Sequence, residues 1–502
     1  MFSTVQRIGF FAGPIVALLI YFALPDQYVD THKALIPLTF PAKTTICMTV
    51  WMAIWWLTEA IDISSTALLP VAMFPLLHIA DIKETTVPYA SHFIFLFIGG
   101  FSIALAMQRW KLDVRLANTV LTIAGNNPKL IIMGFMFSAA LLSAFISNTA
   151  TTAVMLPIGL SIILLFAKNN KDEFENEDQH NFTRCLLLCI AYSASIGGTM
   201  TLIGTAPNLF LASFLEEGMP SQYQLELSFI EWASFAAPLA FIFLPIIYIV
   251  LTKFIFPFDN NKLKQPENIL EGQKGKMDRG QKITIIVFLL TVALWALRPL
   301  IQDISFDYEW ETIKPFNLLS DSGIAMIAAM LLFIIPIDLK KRVFVMDWKT
   351  ATQLPWGIFI LFGGGLTLAK AIKDNGVAEF FAAQALLLPD LPGIVYVLIV
   401  STSIIFLTEL TSNTATTATL VPILASIAIG LGIHPYLLIF PATLAASFAF
   451  MMPIATPPNT IVFASGHISI PEMCKAGFWL NVIGAGLITV YTYIVIKPVI
   501  GF

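Results

Sequence analysis

Apolar runs near or above twenty residues recur along this 502-residue chain, separated by short polar punctuation. About twenty predominantly apolar residues cross a bilayer as a helix, so the pattern predicts an all-α polytopic membrane protein. Threading the runs gives eleven spans and two re-entrant hairpins. The spans fall near Ile8–Leu24, Thr44–Leu57, Thr66–Ile79, Phe93–Gln108, Cys185–Phe214, Phe235–Phe256, Ile283–Leu300, Gly323–Ile337, Trp356–Ile372, Pro435–Ser465 and Phe478–Val499. The hairpins are Leu130–Phe166 and Gly393–Leu431. Two of the spans, Cys185–Phe214 and Pro435–Ser465, are long and interrupted by Gly, Pro and Asn, which predicts two half-helices in each. The first run follows a lone Arg7 and has no obvious small-residue cleavage site after it. It reads as a span, not a removed signal peptide.

The pattern also repeats. The string SNTATTA occurs at Ser147–Ala153 and again at Ser412–Ala418, an offset of 412 − 147 = 265 residues. Over twelve residues, Ser147–Ile158 and Ser412–Ile423 agree at nine, with Pro157 and Pro422 in register. A glycine pair recurs at the same offset, as Gly99-Gly100 and within Gly363-Gly364-Gly365. A hydroxyl residue precedes each tip by four residues, Ser143 and Thr408. A second matched pair follows the hairpins, GTAPN at Gly204–Asn208 and ATPPN at Ala455–Asn459, at the shorter offset 459 − 208 = 251. The charged loop Lys168–Arg184, which the second half lacks, accounts for the difference. Matching polar interruptions in two apolar halves predict a transporter with a doubled site near the bilayer midplane.

Composition agrees. With 57% hydrophobic and 12% charged residues and a mean hydropathy of +0.81, a soluble enzyme is excluded. A net charge of −4 and the lack of any basic block interleaved with aromatics give no sign of a nucleic-acid partner. Cys47, Cys185, Cys189 and Cys474 lie in or beside apolar segments and read as packing residues. His78, His92, His434 and His467 lack ligand spacing, and no HExxH string or nucleophile–base pair occurs within the spans, so the chain is not read as an enzyme. The group Trp51, Trp55 and Trp56 suggests an interfacial belt or a subunit contact.

Charge sets the orientation. Basic residues gather in Gln108–Arg115, Lys253–Lys282 and Ile337–Lys349, whereas Glu216–Glu231 and Arg298–Asp321 are acidic or mostly so. The positive-inside bias then puts the N-terminus in the cytoplasm and the C-terminus outside, in the plasma (inner) membrane. The two Gly-Gly spans run in opposite directions on this threading, so the repeats are expected to be inverted. The division is residues 1–90 as N-terminal scaffold helices, 91–256 as the first repeat (hairpin 130–166, broken helix 185–214), 257–282 as a cytoplasmic linker, 283–355 as further scaffold and 356–502 as the second repeat (hairpin 393–431, broken helix 435–465).

The residue types fit a site for ions. A helix broken in hydrocarbon exposes backbone polar groups, tolerated only where they line a cavity or bind something. Asn, Ser and Thr offer donors and acceptors, and each helix that starts at a tip turns free N–H groups and a positive dipole end towards it. Exposed carbonyls suit a small hard cation. No Lys, Arg, Asp or Glu occurs in 130–167, 185–215 or 435–471, and the second hairpin holds only Glu409. A bound dianion would therefore lack a cationic side chain, and Na⁺ is the economical counter-charge. One SNTAT string alone would suit close helix packing; its duplication with matched prolines favours a site. The glycine pairs favour packing. Glu409 has Ala144 as its counterpart and Lys370 has Leu105, so a Lys370–Glu409 ion pair is expected.

At these residues the chain resembles the divalent-anion:sodium symporters, the sodium–dicarboxylate/citrate/sulfate carriers. The matches are WWLTEAIDISSTALLP (Trp55–Pro70), both SNT strings, YSASIGGTMTLIGTAPN (Tyr192–Asn208) and ASFAFMMPIATPPNTIV (Ala446–Val462). The resemblance implies a homodimer in lipid, with a scaffold domain and a transport domain that slides as an elevator. It implies one Na⁺ site at Ser143, Ser147, Asn148 and Gly204, and another at Thr408, Thr411, Asn413 and Ala455. It places the carboxylates of a C4/C5 dicarboxylate at Asn148, Thr149, Asn413 and Thr414, with Thr205, Pro207, Thr456 and Pro457 beside them. Several exchangers of the family carry an SNTAR-like string; Thr151 and Thr416 stand where that Arg would be, which favours symport over Na⁺-independent exchange. The GTAPN break resembles the carboxylate carriers more than the sulfate ones.

Overall fold

The computed structural model describes residues 4–31, 33–169, 177–260, 263, 276–308 and 311–502. Most of the expected linker 257–282, with Lys262, Lys264 and Lys274, lies outside them, as does 170–176 of the first charged loop. The described residues are mostly helical, with three two-stranded ribbons. Eight helices among them are long and apolar enough to cross a membrane, from Thr4–Ala23 to Ile470–Ile500.

The element boundaries carry the offset seen in the sequence. Helix His92–Arg109 is matched by Trp356–Asp374, and Leu112–Ala124 by the shorter Val377–Ala385. Helix Pro128–Ser143 is matched by Gly393–Thr408, with 393 − 128 and 408 − 143 both 265. The hairpins close with Asn148–Asn169 and Asn413–Gly430. Both long spans break as expected. The first is Glu177–Gly198 and then Ala206–Ser213; the second is Tyr436–Ala445 and then Pro457–Phe463. Proline in the first turn of each second piece suits a helix start, where its missing N–H costs nothing.

Three expectations need correction. The span Thr66–Ile79 is two short helices, Ile63–Thr66 and Leu69–Met73, because Asp62 caps the first, Pro70 starts the second, and His78 takes a left-handed φ of 55°. The tryptophans are internal packing. Trp56 is fully buried with its indole N–H on Ile63 O at 3.0 Å, and Trp55 stacks on Phe10 and donates to Phe10 O at 3.2 Å. Trp55 and Trp51 pack helix Phe40–Thr58 against Thr4–Ala23, where a Cβ on Gly13 would meet both rings. Lys370 and Glu409 do not meet. Lys370 lines a small cavity with Glu84 and Asp374, while Glu409 is held by backbone N–H groups of the second break.

The glycine pairs act in packing. A Cβ at Gly99 would lie 2.5 Å from the backbone of Ala325, and one at Gly364 would lie 2.4 Å from Ala67 O. The Gly-bearing helices thus touch their neighbours backbone to backbone.

Candidate anion and cation site

Each hairpin tip is fixed by its own residues. Ser143 Oγ donates to Asn148 Oδ1 at 2.7 Å, and Thr408 Oγ1 donates to Asn413 Oδ1 at 2.6 Å. Ser147 and Ser412 cap the following helices, accepting from Ala150 N at 3.3 Å and Ala415 N at 3.5 Å. The hydroxyl one turn before each tip therefore orients the amide at the tip, leaving the amide NH₂ free to turn elsewhere.

The breaks are stapled by two asparagines, Asn208 and Asn459, whose role the residue pattern leaves open. Asn208 Nδ2 donates to Gly198 O, Thr199 O and Thr201 O at 3.1, 3.3 and 2.7 Å. Asn459 Nδ2 donates to Ala449 O and Met452 O at 3.2 and 3.0 Å. Further carbonyls are met from outside: Trp232 Nε1 donates to Thr199 O at 2.9 Å, and the Tyr192 hydroxyl to Phe450 O at 2.7 Å. A break in hydrocarbon is stable only if its freed carbonyls find such partners. The Asn in GTAPN and ATPPN was the available signal.

Tips and breaks converge on one cavity of about 1070 Å³. Ser147, Asn148, Thr149, Gly204 and Thr205 line it from the first half, and Thr411, Asn413, Thr414, Ala455, Thr456 and Pro457 from the second. Ser143, Thr408 and Pro207 are buried and do not line it. The two hydroxyls lie behind the tip amides that they orient. Pro207 is the counterpart of Pro458 at the 251 offset, and Ala206 is that of Pro457, so Ala206 occupies the lining position. The rest of the lining went unpredicted: Phe101, Ile358, Leu407, Leu410, Ile454 and Ile461, with Val5, Gln6 and Leu57–Glu59. Among the described residues Glu59 is the only charged one lining it.

Some of the residues expected at the cation sites lie close together. Thr408 Oγ1 lies 2.6 Å from Asn413 Oδ1 and 3.1 Å from Ala446 O. In the first half a Cβ at Gly198 would fall 2.2 Å from Asn148 Oδ1, and one at Gly204 would fall 2.3 Å from Gly198 O. Only glycine lets the backbone at 198 approach the tip, and the backbone at 204 approach that of 198, so closely. Oxygen donors of this kind suit a hard cation.

The family model described as the sodium:sulfate symporter transmembrane region matches residues 14–500. The chain belongs to that family. It is similar to the sodium-dependent dicarboxylate transporter SdcS of Staphylococcus saprophyticus, 37% identical with 99% of this chain and 92% of the relative covered. The Staphylococcus aureus SdcS is also 37% identical, over 100% of this chain and 93% of its own. Two solved transporters share the fold. They are Alcanivorax borkumensis YdaH (TM-score 0.59, 12% identity, 90% and 97% covered) and Neisseria gonorrhoeae MtrF (TM-score 0.55, 15% identity, 98% and 95% covered).

Proposed function

We propose that this symporter-family chain carries C4/C5 dicarboxylates of the succinate, malate, fumarate and 2-oxoglutarate class across the plasma membrane, coupled to Na⁺. The observation that carries the reading is a cavity lined by the amides and hydroxyls of two duplicated tips, with no Lys or Arg lining it among the described residues. A dicarboxylate in such a place needs positive charge from something bound with it. Na⁺ held behind Asn148 and Asn413 supplies it, so anion affinity depends on the ion, and that dependence is the coupling. The SdcS relatives support both the ion and the substrate class.

In this reading Asn148 and Asn413 each serve two partners, with the amide oxygen towards Na⁺ and the NH₂ towards a carboxylate. Ser143, Ser147 and Gly204 complete one cation site; Thr408, Thr411 and Ala455 complete the other. Thr149 and Thr414 meet the carboxylates at the helix N-termini, where backbone N–H groups and the dipole favour negative charge. Thr205, Pro207, Thr456 and Pro457 shape the breaks. The two halves act as inverted repeats, with hairpins and broken helices sliding as a transport domain against scaffold helices within a lipid-embedded homodimer. With the N-terminus inside, the cavity faces the cytoplasm, because Val5 and Gln6 of the first helix line it.

Uptake of labelled succinate into proteoliposomes tests the reading. Uptake driven by an inward Na⁺ gradient without internal succinate is expected. Uptake that ignores Na⁺ and requires internal dicarboxylate means exchange and overturns it. Ser143→Ala and Thr408→Ala should each raise the Na⁺ concentration for half-activation about five- to tenfold, roughly the loss of one buried hydrogen bond. The succinate KM at saturating Na⁺ should move less. An unchanged Na⁺ curve with a large rise in KM would remove both residues from the cation sites.

A further inference from the structure

Thr201 and Glu409 lie outside every role assigned above, yet they join the same two places in the two halves. Thr201 is 5% exposed. Its hydroxyl donates to Ala144 O, the carbonyl next to Ser143, and accepts from Gly204 N at 3.2 Å. The first break is thereby tied to the first hairpin at its turn. The hairpin counterpart of Ala144 is residue 144 + 265 = 409, and the break counterpart of Thr201 is 201 + 251 = 452. Those two residues are also joined: Met452 N donates to Glu409 Oε2 at 2.8 Å. Glu409 Oε1 accepts from Phe450 N, Met451 N and Asn481 Nδ2 at 2.7, 2.9 and 2.7 Å. Glu409 is 3% exposed, and Asn481, on helix Ile470–Tyr491, is fully buried.

We propose that Thr201 and Glu409 are positioning residues at corresponding junctions of the two halves, each latching a hairpin turn to the adjacent helix break and so fixing the spacing of the oxygens that bind Na⁺. Each latch lies next in sequence or space to a cation-site residue. Ala144 follows Ser143, Glu409 follows Thr408, and Thr201 binds the N–H of Gly204. The chemistry differs between halves. The first latch is one hydroxyl bridging two backbone groups. The second is a carboxylate that gathers three successive backbone N–H groups and one amide, with no cation among its bonded partners. Charge-assisted bonds are about twice as strong as neutral ones, so the second latch is the stiffer. Neither residue touches the cavity, so its loss should be felt by the ion before the anion.

This inference rests on the proposed Na⁺-coupled transport, and the experiment separates the two. Na⁺ half-activation at saturating succinate, succinate KM at saturating Na⁺, and the Na⁺-induced rise in Tm of the purified protein are measured for Thr201→Val, Thr201→Ser and Glu409→Gln. Valine keeps the volume of threonine and removes the hydroxyl; serine restores it. Thr201→Val should raise Na⁺ half-activation about fivefold and shrink the Na⁺-induced Tm rise, with succinate KM changed by less than about twofold. Thr201→Ser should stay within about twofold of wild type. Glu409→Gln offers one acceptor oxygen in place of two and presents an NH₂ to a backbone donor, so about tenfold or more is expected. If it fails to assemble, the threonine pair decides alone. A lower basal Tm in Thr201→Val with the wild-type Na⁺ curve and Na⁺-induced Tm rise would reduce the latch to ordinary packing and overturn the inference. A wild-type protein that transports succinate but shows no Na⁺ response would overturn the proposed function, and the inference with it.

Discussion

Asn148→Ala and Asn413→Ala should each reduce initial succinate uptake at least about 100-fold, equivalent to about 2.7 kcal/mol, in a protein that still assembles. Two losses coincide in each variant. The amide is the group that can face a cation and a carboxylate together, and alanine offers neither contact. The hydroxyl behind it also loses a bond: Ser143 loses its acceptor at 2.7 Å, and a buried unsatisfied polar group costs about 1–3 kcal/mol, whereas Thr408 loses the bond at 2.6 Å and keeps Ala446 O at 3.1 Å. The two variants should be comparably inactive, because the tips share one cavity and a dianion needs both. Uptake normalised to reconstituted protein, with size-exclusion chromatography as the assembly check, gives the answer. Near-normal transport by either variant sinks the two-tip site.

A comparable loss is expected from adding one methyl group at the breaks. Gly198→Ala would put its Cβ 2.2 Å from Asn148 Oδ1, and Gly204→Ala would put its Cβ 2.3 Å from Gly198 O. In the first the obstacle is the end of a side chain, so Asn148 moves aside, the fold survives and uptake falls at least about tenfold. In the second the obstacle is backbone and cannot yield cheaply. Overpacking of that kind costs about 1–3 kcal/mol, so Gly204→Ala should lower Tm as well as abolish uptake. Gly486 is the control: nothing lies within 4 Å of a Cβ built there, and alanine in a helix is favoured over glycine by about 1 kcal/mol. Gly486→Ala should transport normally with an equal or higher Tm. Full activity in Gly198→Ala would mean that the tip amide need not sit where the structure puts it.

The tips and breaks were legible in the sequence because their chemistry is local and occurs twice. A polar string interrupting an apolar run announces a helix end, and a second copy rules out chance. Helices Leu112–Ala124 and Val377–Ala385 went unseen. Each is short and carries charge, as Asp113 and Arg115 or as Glu379, so neither resembles a span. The region 66–79 misled for the opposite reason, since its apolar composition suggested a span while Pro70 and Pro75 prevented a long helix. The Lys370–Glu409 pair failed because the side-chain inventory omits the backbone. Three consecutive N–H groups freed by a break satisfy a carboxylate as well as a lysine does, and no residue letter marks them. The apolar wall from Leu407 to Ile461 was hidden in runs whose composition fits lipid, core or cavity equally well.

Each tip amide is oriented by a hydroxyl only five residues away on the same hairpin, so the geometry of the binding element is written within a single short segment. Such an element is modular: duplicated with its hairpin, it keeps its shape whatever it is fastened to. The fastenings have diverged, with a threonine hydroxyl at one end and a glutamate in a cradle of backbone N–H groups at the other. On the proposed assignment the two half-sites can therefore differ in affinity while remaining identical in their SNTATTA strings, and changes tuning one ion's grip would arise in the fastenings, leaving the duplicated letters untouched.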